Sequence, residues 1–136
     1  MPYGEFSIDA RSFGFPDFGP GDRRWDTLRK TLHELLEAIA DNGARANLVY
    51  MSNNAQIYGP LSEGVPAAKT QLAEKMKSYV DLLEKEFAST NVRVVDMSPA
   101  LTEAAKQKMV TVNVGDFHLN TAGVEVVFEE LAKIVE

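Results

Sequence analysis

The 136-residue chain has no cysteine. Disulfides, thiolate nucleophiles and Cys-ligated zinc are therefore excluded. Histidine is almost as scarce, with only His33 and His118. The acids do not cluster at ligand spacing, so no metal site is expected. No Gly-rich phosphate loop is present, and no cofactor is expected. No apolar run approaches the ~18 residues needed to cross a bilayer. Met1-Pro2-Tyr3-Gly4-Glu5 lacks a basic region and an apolar core. No signal peptide is expected, and as written the chain reads as cytoplasmic. Positive charge is in deficit: 14 Lys and Arg against 20 Asp and Glu give a net charge of −6. A surface of that sign repels phosphate backbones, which argues against nucleic acid and anionic lipid as partners.

What is present is ordinary for one globular domain: 45% hydrophobic and 25% charged residues. Residues 1–21 stand apart. Tyr3, Phe6, Phe13, Phe15 and Phe18 are interleaved with Gly4, Gly14, Pro16, Gly19, Pro20 and Gly21. That density of Gly and Pro breaks any long helix. The stretch reads as an aromatic arm whose rings are expected to pack on the next helix or on a partner chain.

The domain proper is expected over 22–136. Asp22 reads as an N-cap, and Trp25, Leu28, Leu32, Leu35, Leu36 and Ile39 form one helical face. Asn42-Gly43 ends that helix. His33 falls off the stripe and is expected to meet water. Residues 46–51 form a short apolar run, the pattern of a strand buried on both faces. A second helix from about residue 65 to 88 carries Leu72, Met76, Tyr79, Val80, Leu83 and Phe87. Val92 to Asp96 is rich in β-branched residues and reads as a second strand. Ser98-Pro99 reads as an N-cap and first helical position. Val110 to Asn113 is a third extended piece, 115–120 a loop, and Thr121 the cap of a last helix. Strand, long helix, strand implies a parallel pair in an α/β layered sheet. Sheets usually have about 4–6 strands. The open edge is therefore expected to be completed by the arm, by a second copy in a homo-oligomer, or by a segment preceding this one.

In open parallel sheets, ligands bind beyond the carboxyl ends of the strands. Ser52, Asn53, Asn54 and Asp96 stand at those ends, with Asp116, His118 and Asn120 on the loop before the last helix. A neutral His serves as a general base near neutral pH, and a carboxylate fixes its tautomer. Asn donates to a developing oxyanion. Each type also has a plain role: Asn pairs make turns and Asp caps them.

Gly115-Asp116-Phe117-His118-Leu119-Asn120-Thr121-Ala122-Gly123, followed by an apolar-faced helix, resembles the last block of SGNH (GDSL-type) hydrolases. The upstream order of helix, strand, helix and strand from Trp25 onward resembles the second half of that domain. The resemblance implies a three-layer flavodoxin-like fold, incomplete at its N-terminal side. It implies ester hydrolysis, or acyl transfer on carbohydrate or lipid esters. His118 would be the base and Asp116 its orienter. Ser52, Asn53, Asn54, Asp96 and Asn120 are tentative binding residues from their places at the strand ends and on the loop. The family's acid stands three residues before the His, where this chain has Gly115. Neither Gly21-Asp22 nor Gly115-Asp116 is followed by Ser, and no Gly-x-Ser-x-Gly elbow occurs. No Ser is therefore given the nucleophile's role. The alternative is a non-catalytic α/β binding or assembly module.

Overall fold

The computed structural model describes residues 19–61, 66–113 and 116–135. The expected arm, apart from its last three residues, lies outside them, as does the burial expected of Phe6, Phe13, Phe15 and Phe18.

Helix α1 spans Arg23–Asp41. Asp22 caps it, accepting the Arg24 backbone N–H at 2.8 Å. Gly43 ends it with a φ of 75°, a conformation glycine adopts cheaply. Strand β1 is Asn47–Tyr50 and β2 is Arg93–Asp96. They run parallel, with Asn47 opposite Arg93 and Tyr50 opposite Asp96. Helix α3, Pro66–Phe87, lies between them in sequence and packs on β2. A parallel pair needs such a crossover, because a hairpin cannot reverse the chain twice.

Helix α2, Asn54–Tyr58, follows β1 directly and continues into a 3-10 turn at Gly59–Leu61. Five residues are too few to show helical periodicity, so this stretch reads as a turn in sequence. Helix α4 is Ser98–Ala105. Its N-cap is Met97, so Ser98 and Pro99 sit one position further into the helix than expected.

The segment after α4 corrects a second expectation. Residues 116–119 are strand β4, not loop, and pair antiparallel with β3, Thr111–Asn113. Only two residues separate the strands, which is hairpin length. The third extended piece thus forms its own small sheet and adds nothing to β1 and β2. The described residues show a mixed α/β fold, mostly helical, with a two-stranded parallel sheet.

Helix α5, Thr121–Val135, is held by Asn120 rather than by Thr121. Asn120 Oδ1 accepts from Gly123 N at 3.0 Å, and Asn120 O from Val124 N at 2.9 Å. Asn120 Nδ2 donates to Met109 O and Thr111 O. Its backbone N–H donates to Val110 O. One residue therefore fastens β4, the entry to β3 and the start of α5. Gly123 lets them approach: a Cβ there would lie 2.0 Å from Val110 O.

The core forms where α2, α4 and the hairpin meet. Ile57, Tyr58, Met97, Leu101, Ala105 and Val110 are fully buried. Val49 and Val95 of the sheet and Val127 and Leu131 of α5 pack around them. Tyr58 carries the polar closure. Its hydroxyl accepts from the N–H groups of Val110 and Thr111 and bonds Thr111 Oγ1 at 2.9 Å.

His33 departs from the solvated role expected of it. It is half-buried, packs on Phe87 with ring centroids 4.9 Å apart and planes tilted by 40°, and meets Glu86 Oε1 at 2.8 Å. The contact joins α1 to α3, because position 33 faces the end of α3 and not open water.

Candidate functional site at the strand carboxyl ends

The carboxyl ends of β1 and β2 lie side by side, because Tyr50 and Asp96 are register partners. The chain leaving each strand enters a helix, and the polar residues at the two exits are joined. Ser52 Oγ donates to Ser98 Oγ at 2.5 Å. Ser98 Oγ donates to Asp96 Oδ1 at 2.6 Å, and Ser98 N donates to the same oxygen at 2.9 Å. Ser52 and Ser98 are buried and Asp96 is half-buried. Each serine has one proton, and this arrangement uses both. The order Ser52 to Ser98 to Asp96 ties the two strand exits together across 46 residues of sequence.

Asn53 closes a capping box over α2. Its side chain accepts from Gln56 N at 3.0 Å, while its own N–H donates to Gln56 Oε1 at 2.8 Å. Gln56 Nε2 then donates to the Tyr50 hydroxyl at 2.6 Å. Burial pushes the Tyr50 phenol above its ordinary value. The Gln56 hydrogen bond opposes that shift, and the negative charge of Asp96 adds to it. Tyr50 therefore stays protonated through the neutral range. Asn54 Nδ2 donates to Asn113 O at 3.4 Å, which brings the β1 exit against the hairpin tip where Asp116 pairs Asn113.

His118 stands on β4, two residues before Asn120, and is exposed. The structure thus brings Ser52, Asn53, Asn54 and Asp96 together at one end of the parallel pair. It sets the Asp116 end of the hairpin beside Asn54. Asn120 lies at the root of the hairpin, with its amide hydrogens and its carbonyl engaged in bonds to the fold. Among the described residues no group of three His, Asp or Glu has the arrangement to hold a metal ion.

Gln56 and Tyr50 are the residues that sequence reasoning did not connect to this edge, whereas Ser98 follows directly on the second strand end and was expected at it. The spacing of Asn53 and Gln56 was a usable signal, since a cap residue and a Gln three positions on form a capping box. Nothing in the sequence announced the Ser52–Ser98 bond, which depends on strand register.

Comparison with protein-family models, with curated proteins and with solved structures finds no match to this chain. The likeness to SGNH hydrolases therefore rests on the residues around His118 and on the order of elements.

Proposed function

We propose that this chain carries acyl-ester chemistry of the SGNH type, hydrolysis or transfer, with His118 as general base and Asp116 as its orienter. The finer fold implied is the second half of a three-layer flavodoxin-like domain. The observation that carries the reading is what remains of the His118 block once its structural parts are explained. Asn120 fastens the hairpin to α5 and Gly123 allows the close approach to Val110. His118 is an exposed residue of the block, on a strand fastened at its root by Asn120. Positions 116 and 118 are two apart on β4. Alternate positions of a strand share a face, which puts positions 116 and 118 on one side of β4.

The base acts on water or on a hydroxyl other than those of Ser52 and Ser98. Their protons run to Ser98 and Asp96, and a base must reach the proton it removes. The substrate is a small-molecule or carbohydrate ester.

The test is hydrolysis of acetylated saccharides and short-chain aryl esters by the full chain and its variants. His118→Ala should lower any turnover by at least ~100-fold, the scale of general base catalysis. Ser52→Ala and Ser98→Ala should change it little. Turnover that survives loss of His118 refutes the reading. The commitment of both serine protons favours a second reading, a non-catalytic binding module. Absence of turnover on every ester, with a ligand still bound at the strand ends, would select it.

A further inference from the structure

A cavity of about 450 Å³ opens beyond the carboxyl end of β2, between α3 and α4. Its floor is polar and preformed: Gln56 is 3% and Ser98 6% exposed, with Asp96 beside them. Asp96 is fixed by one oxygen only. Oδ1 takes both bonds from Ser98. Among the described residues Oδ2 has no hydrogen-bond partner, so an oriented acceptor is left at the cavity floor. The walls alternate in character. Val80, Pro60 and Pro99 offer apolar surface, and Thr102 adds a hydroxyl. At the rim Lys77 is outnumbered by Asp81, Glu84 and Glu103.

We propose that this cavity binds a saccharide unit, neutral or amino-substituted, with a ligand hydroxyl or ammonium donating to Asp96 Oδ2. Three observations converge on that class. The volume suits one or two sugar rings, within the usual range of ligand cavities. A wall with acceptors beside apolar patches matches a ring that shows O–H groups on its edge and C–H groups on its face. The charge balance of the lining repels carboxylates and phosphates. A lipid acyl chain would leave Asp96 Oδ2 unpaired, which is costly. The inference narrows the ester of the proposed reaction to a carbohydrate, and it rests on that reading only there. Binding itself does not involve His118.

The experiment is a two-dimensional NMR titration of the full chain with glucosamine, glucose, glucuronate and a short-chain phospholipid below its micelle concentration. Glucosamine and glucose should shift the amides of Val80, Asp96, Ser98 and Thr102, with glucosamine the tighter. Glucuronate and the phospholipid should leave them unmoved. Asp96→Asn should weaken glucosamine about tenfold, by loss of one charge-assisted bond. Because Asp96 also supports the start of α4, a second variant is needed. Thr102→Trp fills the cavity without touching the bonds to Ser98 and should abolish the shifts. No shift at these residues overturns the inference, as do equal responses to glucuronate or a response to phospholipid alone. His118→Ala should bind glucosamine as the parent does. Sugar binding with intact turnover in that variant would refute the role of His118 and leave the cavity standing.

Discussion

The two sides of the molecule are built on opposite plans. Around α2, α4 and the hairpin, short elements are locked together by full burial and by polar groups with defined partners. Ile57, Tyr58, Met97 and Leu101 are inaccessible to water, and Tyr58 and Asn120 each serve several backbone groups. Helix α1 is the longer and more regular element, yet only Trp25 on it is buried. Leu28 and Leu35 are 39% and 55% exposed. Its link to α3 includes a polar cluster in which Glu86 receives His33 at 2.8 Å and Arg29 at 3.6 Å, beside the His33–Phe87 ring contact. An apolar stripe therefore marks the face that can be buried, and packing decides how much of it is.

The sharpest break in this comparison should come from the smallest change on the locked side. Gly123→Ala puts a methyl group 2.0 Å from Val110 O, where backbone must move. A loss of about 3 kcal/mol is expected in chemical denaturation, at the upper end of overpacking costs. Wild-type stability would mean that α5 and the hairpin separate readily. Tyr58→Phe should cost somewhat less, about 1–3 kcal/mol, because the N–H groups of Val110 and Thr111 lose a buried acceptor. Its thermal midpoint should fall, and amide exchange at 110 and 111 should quicken.

On the open side, Leu35→Ala should stay within about 0.5 kcal/mol, the usual range for exposed positions. A drop comparable to that of Tyr58→Phe would show that something covers this face in solution. The smallest effect concerns the cap of α1. The side-chain hydrogen bond from Arg24 is the main reason the Asp22 carboxyl is lowered from 3.8 to about 2, with the Arg24 backbone N–H next. A carboxyl depressed in the folded state adds stability above its ordinary value and loses it as pH falls toward 2. Circular dichroism between pH 5 and 2 should therefore show a slight loss of α1 helicity in the parent. Asp22→Asn should flatten it.

Much of this architecture was legible in the sequence where a signal spanned enough residues. The stripes of α1, α3 and α5 gave three helices, and the β-branched run from Val92 gave β2. The 22-residue helix between two apolar runs required parallel strands, which β1 and β2 form. What escaped was short or tertiary. Helix α2 has five residues, and β4 was hidden because Gly115 and Asp116 are turn formers. Loop and strand differ there only by the pairing of Asp116 with Asn113 and Leu119 with Thr111. At the candidate site, Ser52 and Asp96 were found by their place at strand ends. Their connection through Ser98 follows from register, which no local pattern encodes. His33 read as solvated because its partner, Glu86, is 53 residues away.

The most direct test of the functional account is chemical rescue at position 118. Acetylated-saccharide hydrolysis by His118→Ala should be lost and should return in part when free imidazole is added, while the thermal midpoint stays at the parent value. That pair of results would assign His118 the base and not a structural part. Undiminished hydrolysis without His118, or a loss that imidazole cannot repair accompanied by a lowered midpoint, would contradict the account.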